Sequence, residues 1–202
     1  GQRMIAEADI PEPQVKLDIL HRTIDRLCAA GYEYIGMDHF ALPDDELVRA
    51  RANGTLQRNF QGYSTHRHCD LVALGVSAIG NIGNAVTTME YEALLESGHL
   101  PIRKGLAIDA DDKLRAEVIQ TLMCHDSLSF AEFSAAHEID FAAYFAAEIK
   151  RLQPLANDGL ILLDNSGITI THKGRLLLRS IAMVFDRYID QHENDNRFSK
   201  AI

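Results

Sequence analysis

Cysteine is scarce in this sequence, and positive charge is scarcer than negative. Cys28, Cys69 and Cys124 are its three cysteines, and they lie far apart. An odd and dispersed set builds no disulfide framework and fits a reducing cytoplasm. No CxxC or CxxxCxxC occurs, so the usual thiolate runs for zinc or an iron–sulfur cluster are absent. The opening, GQRMIAEADIPEPQ, has no long apolar run, so neither a signal peptide nor a membrane span is visible and no membrane partner is expected. It also has no initiating Met, which points to a piece of a longer chain. The 20 Lys and Arg are outnumbered by 29 Asp and Glu, for a net charge of -9. That balance argues against a phosphate-binding surface, so no nucleic acid is expected as a partner. Internal repeats and low-complexity segments are missing as well.

What remains is an ordinary globular composition, 47% hydrophobic and 24% charged over 202 residues. That is enough for one good domain or two small ones. Pro11 and Pro13 open a predicted helix from Glu12 to Ala30, with Val15, Ile19, Ile24 and Leu27 at helical spacing and Gly31 as its stop. EYIGM (Glu33 to Met37) reads as a short strand, and a helix leading tightly into a strand is half of an alternating α/β unit. LPDDELVRARANG reads as a helix, with Pro43 at its start, acids in its first turn and Gly54 past its end. DLVALGVSAI (Asp70 to Ile79) is almost wholly apolar, the pattern of a strand covered on both faces. TTMEYEALLESG predicts a helix ended by Gly98, and KGLAI (Lys104 to Ile108) another strand.

From Asp109 the texture becomes helical. Asp109 or Asp111 caps a helix through Cys124, with Leu114, Val118, Ile119 and Leu122 on one face. SFAEFSAAHEIDFAAYFAAEIKRLQPLA supplies two more helices, and LILL, DNSG and ITIT a hairpin. Thr171 is placed to cap a final helix bearing Leu176, Leu177, Ile181, Val184, Phe185 and Tyr188. Three helices, a two-stranded wing and a further helix resemble a winged-helix module. The expected fold is therefore α/β followed by mostly α, with a boundary near residues 100 to 110.

Several stretches carry candidate chemistry. HRHC (His66 to Cys69) has zinc-ligand types, but adjacent residues cannot all turn to one tetrahedral centre, so a solvated loop is the better account. Asp38 and His39 of MDHF stand at a strand end, where reacting groups cluster; acid–base work and simple backbone bonding are equally open to them. Gly75, Gly80 and Gly83 do not match the dinucleotide pattern, and no nucleophile elbow surrounds Ser64 or Ser77. In ITITHKGRLLLR, Lys173, Arg175 and Arg179 are candidate phosphate contacts of a wing, but residues 106 to 202 carry 10 basic against 15 acidic residues. RNFQGYST has ring faces at Phe60 and Tyr63, a two-way amide at Gln61, close approach at Gly62, and at Arg58 a guanidinium able to clamp a carboxylate. Such a set suits a ligand with a purine ring and carboxylates, and a strand with one buried edge accounts for it equally well.

GYEYIGMDHFALPDDEL, LQRNFQGYST, DLVALGVSAIGNIG, KGLAIDADDKLRAEVI, FAAYFAAEIKRLQPLANDGL and THKGRLLLR together resemble the oxygen-independent coproporphyrinogen III oxidases, radical S-adenosylmethionine enzymes of haem biosynthesis. The resemblance implies the last elements of a partial (β/α) barrel and its extension over residues 1 to 105. It implies a helical, winged-helix-like C-terminal domain over residues 106 to 202. It also implies two S-adenosylmethionine molecules per full-length enzyme and a [4Fe-4S] cluster held by a CxxxCxxC loop that this chain lacks. Coproporphyrinogen III is the implied substrate, with two propionates oxidised to vinyls to give protoporphyrinogen IX. A flavodoxin or ferredoxin is the kind of electron donor implied. By motif, Phe60, Gln61 and Ile79 correspond to positions that contact S-adenosylmethionine, and Arg58 is a candidate for the substrate. The chain is then expected to be an inactive C-terminal fragment. A haem-binding or winged-helix-like binding module is the alternative.

Overall fold

The computed structural model describes residues 9–66, 69–72, 74–77, 79, 88–102 and 107–189. Helix α1 spans Pro13–Ala29 and begins on Pro13, whose fixed φ and missing N–H suit a first turn. The chain leaves it through Gly31 at φ +93°. Strand β1 (Glu33–Gly36) turns back into β2 (His39–Ala41) as an antiparallel hairpin. The alternating α/β unit expected here is therefore replaced by a local hairpin. Its turn is made possible by Gly36 at φ +155° and by Met37, which adopts φ +53°. Helix α2 (Glu46–Ala52) starts three residues later than Pro43 foretells, because the Asp45 carboxylate accepts the Leu47 N–H at 2.8 Å. A second hairpin comes next, β3 (Gln57–Asn59) with β4 (Gly62–Ser64).

The apolar run from Asp70 to Ile79 is not a strand in its described residues. Val72 and Leu74 are 59% and 84% exposed, and a continuous apolar run becomes a strand only when both faces find cover. Helix α3 (Thr88–Glu96) forms as expected and ends before Gly98 at φ +76°. Of the KGLAI strand, residues 104–106 lie outside the described residues, and Ala107 and Ile108 are irregular and exposed. Gly80 and Gly83 also lie outside them. Helix α4 (Ala110–His125) opens on a reciprocal capping box between Asp109 and Asp112. It buries Val118 and Leu122 completely.

The two helices expected next are three: α5 (Phe130–His137), α6 (Phe141–Tyr144) and α7 (Ala146–Asn157). The break falls at Phe145, the junction of α6 and α7. The hairpin of β6 (Ile161–Leu163) and β7 (Gly167–Ile170) is present, and β5 (Ser127–Ser129) extends it to a three-stranded sheet of order β5-β7-β6. Thr171 caps the turn after β7, its Oγ accepting from the Gly174 N–H at 3.0 Å. The final helix is broken into a 3-10 turn (Gly174–Leu177), α8 (Leu178–Ala182) and another 3-10 turn (Met183–Phe185).

One apolar core runs through both halves. Ile35, Ala41, Ala50 and Leu56 share it with Val118, Leu122, Leu152, Ile168 and Ile181. Its centre is aromatic: Phe141, Phe145 and Phe185 are wholly buried, with Phe141 4.8 Å from Phe145 and Phe145 edge-on to Phe185 at 5.6 Å. Among the described residues the sheets are two hairpins and one three-stranded sheet, with no closed barrel.

Candidate ligand-binding hairpin

The β3–β4 hairpin closes over two residues, Phe60 and Gln61, because the Asn59 carboxamide accepts the N–H groups of Gln61 (2.8 Å) and Gly62 (3.2 Å). That leaves the Phe60 ring 73% exposed and the Gln61 side chain in solvent. Gln61 Nε2 donates to the Ile79 carbonyl at 3.4 Å, so the turn and Ile79 meet in space. Ile79 is itself 38% exposed. The three positions singled out by motif therefore share one accessible edge.

Gly62 is spoken for by the fold rather than by a ligand. A Cβ there would stand 2.6 Å from His39 Nε2, and one on Gly36 would stand 2.4 Å from the Tyr63 hydroxyl. The two hairpins interlock through these missing side chains, with the His39 ring edge-on to Tyr63 at 5.1 Å. His39 Nδ1 lies 2.8 Å from the Asp38 carboxylate, which faces solvent.

Arg58 lies with its guanidinium 5.0 Å from the centre of the Tyr63 ring. Burial, followed by the neighbouring Cys124, pushes the Tyr63 phenol far above its ordinary pKa, so it stays a neutral donor to the Met123 carbonyl at 2.9 Å. Beneath the first hairpin, Arg51 and Arg175 converge on Asp126, a residue held at φ +58° at the end of α4. Both guanidinium groups also donate to the Tyr34 carbonyl, at 2.9 and 2.8 Å, and Arg175 reaches the Ile35 carbonyl at 3.1 Å. Arg175 further lies over the Tyr34 ring. Burial lowers its pKa against the pull of Asp126, but a guanidinium starts high enough to remain charged. Arg175 is thus an internal strut, and its candidacy as a phosphate contact of a wing lapses. Lys173 likewise turns to the Asp158 carbonyl at 2.9 Å.

His66 bonds within its own loop to Ser64 and Thr65, while Arg67 and His68 lie outside the described residues. Among the described residues no three His, Cys, Asp or Glu side chains gather as a metal site, and no helix is long and apolar enough to cross a membrane. A groove of about 620 Å³ lined by Glu117, His125, Ser127, Glu132, His137 and Asp164 includes none of Phe60, Gln61 and Ile79. Sequence reasoning missed Gln120, Asp126 and Arg51. Gln120 and Arg51 are single polar residues on helices, and Asp126 comes just after one; none carries a local mark.

Comparison with known proteins gives one consistent answer. Residues 108–177 match the HemN C-terminal domain family. The chain is 54% identical to the oxygen-independent coproporphyrinogen III oxidase of Pseudomonas aeruginosa, with 100% of this chain and 45% of that protein covered. It is 46% identical to that of Escherichia coli over the same shares. The solved structure of coproporphyrinogen III oxidase (HemN) from Escherichia coli, a radical SAM enzyme, superposes with a TM-score of 0.85 at 45% identity, covering 93% of this chain and 44% of that one. The chain spans about half the length of the curated relatives it matches.

Proposed function

We propose that this chain, similar along its whole length to oxygen-independent coproporphyrinogen III oxidases, is the C-terminal portion of such an oxidase and forms one wall of its S-adenosylmethionine site. The full-length protein then decarboxylates two propionates of coproporphyrinogen III oxidatively to vinyls, yielding protoporphyrinogen IX. The observation that carries this reading is the Gln61–Ile79 bond, which brings an exposed ring, an amide and an aliphatic side chain to one edge. A ring face and an aliphatic side chain suit the adenine or the methionine chain, and a carboxamide can meet the amino-acid end as donor or acceptor.

S-adenosylmethionine held at Phe60, Gln61 and Ile79 would supply the radical chemistry that removes a hydrogen atom from each propionate. The cluster itself does not fit this chain: Cys28 and Cys69 are exposed, Cys124 is buried, and no metal-binding group of side chains forms among the described residues. It is assigned to the rest of the full-length protein, where a flavodoxin or ferredoxin in a reducing cytoplasm is the fitting electron donor. Arg58, braced by the Tyr63 ring, is assigned to a substrate carboxylate. Residues 1 to 105 are read as the end of the barrel with its extension, and residues 106 to 202 as a winged-helix-like domain in the order helix, strand, helices, strand, strand. With Arg175 turned inward, Lys173 tied at the surface to the Asp158 carbonyl and a negative balance, that wing is suited to internal packing and not to nucleic acid.

The test is equilibrium binding of S-adenosylmethionine to the cluster-loaded full-length protein with Gln61→Ala. Losing one or two bonds in a partly enclosed site costs about 1–3 kcal/mol, so affinity should fall roughly ten- to a hundredfold at unchanged iron content and Tm. Wild-type affinity in that variant would sink the reading.

A further inference from the structure

The Gln120 carboxamide, on α4, meets the Arg58 backbone as a neighbouring strand would. The Arg58 N–H donates to Gln120 Oε1 at 3.0 Å, and Gln120 Nε2 donates to the Arg58 carbonyl. In an antiparallel ribbon, alternate residues turn both backbone groups outward, away from the partner strand. Arg58, opposite Tyr63, turns its pair toward α4, and Gln120 satisfies both groups at once. The second strand is hooked to the same helix less than a turn further on, where the Tyr63 hydroxyl donates to the Met123 carbonyl at 2.9 Å. Only one orientation of the amide serves both Arg58 groups. The buried Cys124 thiol, 3.6 Å from Gln120 Oε1, adds a weak donor on that same side.

We propose that Gln120 is a positioning residue for ligand binding: it fixes the β3–β4 hairpin so that Phe60 and Gln61, two and three residues beyond Arg58, are held where they meet S-adenosylmethionine. An isolated ribbon with two three-residue strands is marginal in water, so its tip is only as well placed as its anchors. Preorganised contacts bind more tightly because less freedom is lost on association. The proposal rests on the reading of the Phe60–Gln61 turn as a ligand wall, and its test separates the two.

The experiment compares Gln120→Ala, Gln120→Glu and Gln61→Ala in the full-length, cluster-loaded protein. The readouts are amide hydrogen exchange over residues 58–63, calorimetric binding of S-adenosylmethionine, Tm, and kcat and KM in turnover. In Gln120→Ala, exchange over 58–63 should accelerate and S-adenosylmethionine affinity should fall about tenfold, the yield of two lost bonds. The rise should appear in KM, with kcat at saturating S-adenosylmethionine retained. Gln120→Glu keeps the acceptor for the Arg58 N–H and should lie between Ala and wild type. If Gln61→Ala weakens binding while Gln120→Ala leaves exchange or affinity at wild-type values, the clamp is refuted and the ligand wall stands. If Gln61→Ala binds normally, the ligand wall fails. A lowered Tm in both Gln120 variants with exchange raised throughout the protein means a general structural role and overturns the proposal.

Discussion

The helical module from Asp109 to Tyr188 packs its side chains into one core with the two hairpins, whereas the described residues between Cys69 and Ile108 leave most of their large apolar side chains exposed. In the first, Phe141, Phe145 and Phe185 are wholly buried; in the second, Leu74, Met89, Leu100 and Ile108 are 84%, 80%, 70% and 63% exposed. Both stretches are comparably apolar to read. The difference lies in partners, since the module's helices pack on one another and on Ile35, Ala41 and Leu56 in the same core. An exposed apolar group of this extent on an otherwise well-packed chain marks a face made to be covered.

The sharpest way to break the comparison is truncation on each side of it. Phe145→Ala opens a cavity amid Phe133, Phe141 and Phe185 and should cost about 3–5 kcal/mol, while Leu74→Ala should stay within about 0.5 kcal/mol. Denaturant titration of the two variants reads this directly, and equal losses would erase the distinction.

A smaller effect is expected at the seam joining the module to the first hairpin. Arg175→Ala strips the Tyr34 and Ile35 carbonyls of a donor and leaves Asp126 with Arg51 as its remaining arginine, for a loss of about 2–3 kcal/mol by chemical unfolding. An Arg175→Lys variant should recover only part of it, since an ammonium cannot repeat the guanidinium fork.

The smallest effect is one of pH, and it sits inside the module. Burial alone would raise the Asp111 pKa, but bonds from Arg115, Tyr144 and Arg187 outweigh it and hold the carboxyl below its ordinary value. Asp109 is lowered chiefly by the Asp112 backbone and by Arg187. A carboxyl depressed in the folded state contributes stability above its unfolded pKa of about 3.9, and that contribution is lost as pH falls through the folded value. Tm should therefore hold from neutrality to roughly pH 5 and decline below pH 4, less steeply in Asp111→Asn. A flat profile across that range would remove the carboxylates from the account.

Where a rule is local, the sequence is readable. Pro13, Gly31, Gly54, Gly98 and the Asp109 box each act within a few residues of themselves, and each stands at the helix end foretold. What stays hidden depends on distant partners. The Asp70–Ile79 run reads as a buried strand because nothing in its composition says that both covers are missing. β5 is three residues, Ser-Leu-Ser, too short to show alternation, and exists because β7 offers it an edge. Arg175 reads as a wing cation because the Tyr34 carbonyl that claims it lies 141 residues away.

That same separation sets a timetable for the growing polypeptide. Strand β1 leaves the ribosome long before the guanidinium that seals it, and at roughly 5–20 residues per second the interval is on the order of ten to thirty seconds. Through that interval the Tyr34 carbonyl has Arg51 but not Arg175 as a donor, and the Ile35 carbonyl lacks the Arg175 donor. Slow codons placed just before Arg175 would lengthen this exposed phase, and holdase chaperones should engage the nascent chain there more than at any point after the seam has closed.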